Sequence, residues 1–196
     1  PFSTEEPTLG SLLRVSIPGV TETGAPKPST RYGNQIQPFS ILEITPEATP
    51  IVTLQEIQGQ YADGTPYTLL QPTYELTELG YGEIEVDIMI SPRVAPPVIG
   101  MALLEAIPEE RLLELSDPND SDGDGISGKI NRVWNNRTQQ MEVGRFGWKA
   151  EIPTVEHQVA GAFLGDIGIT TPVLPNNNCA TEQIDCQNEP TGGDPE

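Results

Sequence analysis

Prolines recur so densely along this chain that a long uninterrupted helix or inner strand has little room to form, because each proline fixes φ and removes a backbone donor. Glycine is almost as frequent, 19 residues against 20 prolines in a chain of 196. Both exceed ordinary usage without reaching the low-complexity range, which predicts an ordered, loop-rich protein with a modest core. The length fits one ordinary domain or one compact piece of a larger protein. Stretches such as Thr23-Gly24-Ala25-Pro26-Lys27-Pro28 make residues 1–50 an extended Pro/Gly-rich segment lying over other structure. Residues 51–175 hold the recognisable elements and residues 176–196 form a cysteine-containing tail, all within one expected domain.

From Ile51 the pattern changes. Val52, Leu54, Glu56 and Ile57, then Asp63-Gly64, then Tyr67, Leu69 and Leu70 predict a hairpin with strands near 51–60 and 66–71. A second, short hairpin is expected where Arg132-Val133-Trp134 and Met141-Glu142-Val143 flank Asn135-Asn136-Arg137-Thr138. Pro96-Pro97 ahead of the apolar run from Val98 to Ile107 predicts a buried helix of about three turns. Pro108 starts a further turn, which Asp117-Pro118 ends. Behind Pro153, the apolar residues Val155, Val159, Ala162, Phe163 and Ile167 recur at helical spacing, so a helix near 154–165 should turn that stripe to a core, with Glu156 and His157 on other faces. The fold class is therefore α+β, loop-rich, with a few helices near 97–115 and 154–165 and one or two short β-hairpins.

Twenty-nine acidic residues against ten Lys and Arg give a formal charge of −19. Such a chain repels phosphate backbones and anionic lipid surfaces, which excludes nucleic-acid binding. No apolar run is long enough for a membrane span, and nothing at the start reads as a signal peptide. Pro1 and the closing Gly192-Gly193-Asp194-Pro195-Glu196 have the character of cut ends, as in a piece excised from something longer. Cys179 and Cys186 are near enough in sequence to join across a short loop in an oxidising compartment.

Asp120-Ser121-Asp122-Gly123-Asp124-Gly125-Ile126 alternates carboxylates at every second position, like the start of a calcium loop. Hard cations take six to eight oxygens, and Asp120, Asp122, Asp124 and the Ile126 carbonyl are the candidate ligands, with Asp117 as an extra one. Unneutralised, each like pair at roughly 4 Å costs between about 1 and 4 kcal/mol. The twelfth position is Asn131 rather than a bidentate Glu, a departure from an EF-hand. The same residue types also suit a solvated Asp/Gly turn.

Several unbroken strings act together: Arg31-Tyr32-Gly33-Asn34-Gln35-Ile36-Gln37, Ser91-Pro92-Arg93-Val94-Ala95-Pro96-Pro97, the Asp117–Gly128 loop and Gly144-Arg145-Phe146-Gly147-Trp148-Lys149-Ala150. With Gln158-Val159-Ala160-Gly161-Ala162-Phe163, Asp166-Ile167-Gly168-Ile169-Thr170 and the cysteine pair, they closely resemble the di-haem oxidoreductase family of bacteria, which is related to the di-haem cytochrome c peroxidases. The resemblance runs from Leu12 to Cys186. It implies a periplasmic or exported electron-transfer enzyme with two covalently attached haems c, and hence an oxidised Cys179–Cys186 bridge, since such attachment happens where thiols oxidise. This chain has no Cys-x-x-Cys-His stretch, the motif that c-type attachment requires. In the family two such motifs flank a stretch like this one. The chain is therefore expected to lie between the two haem sites, with the flanking haem-bearing segments and an electron-transfer partner as its partners.

The resemblance also suggests roles. In the di-haem peroxidases a Phe-Trp-Asp-Gly-Arg-Ala string precedes a helix with a Gln ten positions after the Trp, a spacing that Trp148 and Gln158 keep. There the Trp lies between the haems and the Gln lines the distal pocket. The alternatives are a core aromatic for Trp148 and an exposed helix residue for Gln158. Arg93 and Arg145 are candidates for haem propionates, or for pairing with the abundant carboxylates. Asp166, near where relatives place a distal carboxylate, has a different spacing. His157, the only histidine, fits a packed or surface residue better than a ligand, and Met101 fits packing better than iron ligation. The leading function is the inter-haem segment of a peroxidase-like di-haem oxidoreductase. The alternative is a secreted, calcium-stabilised binding module without redox chemistry.

Overall fold

A ten-residue strand, β1 (Ser11–Val20), runs through the stretch whose prolines predict loop. Its alternation is the reason: Leu13 and Val15 are buried while Arg14 between them points the other way. β1 pairs antiparallel with Met89–Val94, Ser11 opposite Val94 and Ser16 opposite Met89. With the two-residue β2 (Pro26–Lys27) it forms a three-stranded sheet of order β2-β1-β5, β5 being Met89–Val94. The computed structural model describes residues 11–95 and 97–189. Pro1, Pro96 and the Gly192–Glu196 end of the expected tail lie outside them.

The hairpin around Asp63-Gly64 forms as expected and is longer. β3 (Thr49–Gln60) and β4 (Pro66–Thr77) pair from Thr49 opposite Thr77 to Gln60 opposite Pro66. Near its base, Tyr74 and Leu76 pack against the buried cluster of Leu13, Val15, Tyr32, Ile36 and Ala48. Towards the turn both faces are open, and the Tyr67 ring lies over Gly59, where a Cβ would sit 2.4 Å from a ring carbon.

The described chain divides into two compact units: residues 11–18, 27–95 and 179–189, and residues 19–26 and 97–178. In the second unit the expected buried three-turn helix is only the short α1 (Met101–Glu105), the further turn expected behind Pro108 is α2 (Glu109–Glu114), and neither has a buried residue. Pro108 lacks the N–H that a continuous helix would need there. The short hairpin is present as β6 (Arg132–Asn135) and β7 (Gln140–Val143). α3 (Val155–Ile167) starts at Thr154, whose hydroxyl accepts from His157 N, and stops at Gly168 with φ 72°, a capped start and a left-handed stop. The brief α4 (Ile184–Asn188) sits in the tail of the first unit. No described helix is long and apolar enough to cross a membrane.

Candidate functional site

The string Gly144–Ala150 folds into a small closed loop. Phe146 is buried and exchanges backbone hydrogen bonds with Ile152, Phe146 N to Ile152 O at 2.9 Å and Ile152 N to Phe146 O at 3.1 Å. Gly144 allows the close crossing beneath, for a Cβ there would lie 1.8 Å from Ala150 O. Asn131 Nδ2 donates to Lys149 O and Ala150 O at 3.2 and 3.1 Å. Thus the residue at the twelfth position of the acidic loop anchors the Trp148 loop, a role that no local pattern signals. Between these anchors Trp148 stands 60% exposed, so it is not a core aromatic.

α3 follows, and its faces are the reverse of the sequence expectation. His157, at 7% exposure, and Ala160 form the buried side, while Val159, Phe163 and Ile167 of the apolar stripe are exposed. α1, which lies against α3, carries exposed Leu103 and Leu104 as well. Burial holds the His157 imidazole below its ordinary pKa, so it is neutral near pH 7. Its Nε2 faces Asn136 Nδ2 at 3.5 Å, and its buried Nδ1 has no hydrogen-bond partner. The next residue, Gln158, is half-buried rather than exposed, and its Oε1 is enclosed and unpartnered too. A buried amide oxygen without a donor is costly, so such an atom calls for a partner, a water or a bound group.

The start of α3 is fixed from several sides. Glu105 Oε1 accepts from Val155 N at 2.8 Å, and Arg137 in the β6–β7 turn pairs with Glu156. Arg145 Nη1 donates to Leu104 O at 3.2 Å and Ile107 O at 2.6 Å, so it satisfies carbonyls at the end of α1. Arg93, in β5 of the first unit, is half-buried with Nε 3.4 Å from Ser91 Oγ.

In the acidic loop Asp117 and Gly128 exchange backbone bonds, N to O at 2.9 and 3.0 Å, which closes its ends. Asp117, Asp120 and Asp122 bring carboxylate oxygens within 4.8 Å of one another. Asp124 stands apart from that group and accepts from Ile126 N at 2.7 Å. The Ser121 hydroxyl and N–H hold the Asp117 carboxyl below its usual range.

In the first unit Cys179 and Cys186 form the expected disulfide, Cα atoms 5.9 Å apart. The loop they close carries Gln183, 3% exposed. Gln183 Nε2 donates to Glu47 Oε1 at 2.5 Å and Arg31 O at 3.1 Å. Glu47 Oε2 accepts from Gln37 N at 2.8 Å. Burial outweighs these donors and pushes Glu47 up to about 7. Neither residue carried a sequence signal, for their pairing depends on contacts across most of the chain.

The sequence profile of the family described as di-haem oxidoreductase, putative peroxidase, matches residues 57–189, well over half of the chain. The chain belongs to the di-haem oxidoreductase family. Comparison with curated proteins and with solved structures gave no match. Membership of a di-haem oxidoreductase family implies haem. Covalent attachment does not fit this chain's own residues, for both cysteines are spent in the disulfide and the single histidine is buried. The features that suit a non-covalently contacted apolar group are the exposed apolar side chains of α3 and α1 and, separately, the enclosed and unpartnered Gln158 Oε1.

Proposed function

We propose that this chain is the stretch between the two haem-bearing segments of an exported, peroxidase-like di-haem c-type oxidoreductase, and that it shapes the haem pockets and the electron path between them. The observation that carries this reading is the inverted α3. Val159, Phe163 and Ile167, with Leu103, Leu104 and Trp148, are large apolar side chains left 44–78% exposed, each forgoing on the order of 1 kcal/mol of burial. Apolar surface of this kind marks a face that something covers, and a haem with its carrier segment matches it in chemistry. The haem iron, when bound, supplies the one-electron and peroxide chemistry.

Trp148 is the relay residue in this reading, which its exposure on a tightly anchored loop supports. Gln158 is the distal residue in this reading, and its unpartnered amide oxygen supports it, since an amide oxygen accepts from a proton-bearing ligand. Arg145 and Arg93 are the propionate candidates, Arg145 doing so while its Nη1 holds the end of α1. In the acidic loop Asp117, Asp120 and Asp122, joined by Asp124 and the Ile126 carbonyl, would take a calcium ion that neutralises their mutual repulsion. The disulfide accords with an exported protein and an electron-transfer partner outside the cytoplasm.

Hydroxyl-radical footprinting of the whole haem-loaded protein tests the proposal. Trp148 and Phe163 should be protected from modification there. Reaction of Trp148 at the rate of a free indole overturns it.

A further inference from the structure

The eleven-residue tail 179–189 is held on the rest of the first unit by polar contacts, and its own loop is closed by the Cys179–Cys186 bond. None of its apolar side chains is buried, and Ile184 is among the exposed ones. Gln183 reaches Glu47 and the Arg31 carbonyl, Asp185 Oδ2 accepts from Thr45 N at 3.1 Å, and Tyr81 donates its hydroxyl to Asp185 Oδ1 at 2.9 Å. Glu182 pairs with Arg31 at 3.3 Å. Docking these groups requires the loop to be ordered beforehand, and the Cys179–Cys186 bond supplies that order by closing it. Both cysteines are only half-buried, which leaves the bond open to attack.

We propose that the Cys179–Cys186 disulfide is a redox latch whose reduction undocks residues 179–189 and uncovers the Glu47 carboxylate while the rest of the first unit stays folded. The reductant is a dithiol. One of its thiolates attacks a cysteine sulfur and forms a mixed disulfide, and its second thiol then displaces the protein. Two electrons and two protons pass to the cysteines, and the dithiol leaves as a disulfide. Undocking takes away the Gln183 amide from Glu47, and as the carboxylate turns out into water Gln37 N loses its acceptor as well. The freed carboxylate then reaches water, so opening is not resisted by a stranded buried charge.

Hydrogen exchange on the full chain, oxidised and dithiol-reduced, reads the latch at two amides, Gln37 N and Thr45 N, whose acceptors are Glu47 and Asp185. Loop-entropy arithmetic for about eight residues predicts roughly 50-fold faster exchange at both after reduction. The α3 amide of Gln158, bonded to Thr154 O, should be unchanged. In the oxidised protein Gln183→Ala should speed exchange at Gln37 with the bond intact. Unchanged exchange at Gln37 and Thr45 on reduction overturns the proposal. So does an equal loss of protection at Gln158, which would make the bond a global brace rather than a latch.

Discussion

Gln183 Nε2 and Glu47 Oε1 meet at 2.5 Å although 136 positions separate them in sequence. The pair joins the tail to the buried edge of the first unit, and it sets an unusual dependence on pH. Glu47 is raised from 4.5 to about 7 by burial, so the folded form binds its proton more tightly than the unfolded form does. Its contribution is greatest below the unfolded value and is lost as pH rises towards 7, a swing of about 3 kcal/mol. Tyr32 and Tyr81 are its titratable neighbours, and burial holds both phenols above the ordinary tyrosine range, so neither ionises in that window. His157 acts oppositely in the second unit. Its lowered pKa means that acid below 6.5 charges it only at the expense of the fold. Hydrogen exchange between pH 4.5 and 7 should show the first unit tightening and the second loosening on acidification. Glu47→Gln should flatten the response of the first unit, and an unaltered slope in that variant would contradict this assignment.

The Trp148 loop depends on a close backbone crossing. Gly144→Ala forces a methyl onto Ala150 O, which lies 1.8 Å from the ideal Cβ position, so we expect a loss of about 2–4 kcal/mol. Gly161 is the contrast. A Cβ there meets nothing within 4 Å, and Gly161→Ala should stabilise α3 by roughly 0.5–1 kcal/mol. Denaturant midpoints moving the same way in both variants would refute the placement of this loop.

Calcium should raise the melting temperature of a chelator-stripped sample, by an amount equivalent to about 2.7 kcal/mol at a hundredfold excess over Kd. Asp120→Asn should remove most of that shift, since Asp120 is one of the three carboxylates that converge. Calorimetry with neither heat nor thermal shift would leave the loop a solvated turn.

If Trp148 relays electrons, Trp148→Phe in the full-length protein should keep both haems attached and slow transfer between them. Because Trp148 is exposed, the packing cost should stay small. Unchanged transfer ends the relay role, and a slowing that merely follows the folded fraction makes the residue structural.

Much of the local structure was legible. Asp63-Gly64 marked the long hairpin and Pro153 the start of α3, because turns and helix starts are short-range chemistry; the caps at Thr154 and Gly168 came with the fold. β1 was not legible, since Pro18 and Gly19 sit in its span and its partner β5 lies more than seventy residues away. Apolar periodicity located the stripe of α3 but could not say what it faces. Val159 and Phe163 look like core residues whether they meet their own unit or a segment brought from elsewhere. The Trp148 and Gln158 spacing pointed to candidate positions. The anchors that aim them, Asn131 and Gly144, came only with the fold.

In the proposed function this chain lies between two covalently bound haems and carries neither. Peptide mapping by mass spectrometry of the whole exported protein, together with haem quantification, tests it most directly. Two haems per polypeptide are expected, each on a Cys-x-x-Cys-His peptide outside this sequence and one on either side of it, with Cys179 and Cys186 recovered as a disulfide. A polypeptide without haem, or with haem on a peptide from within these 196 residues, would contradict it.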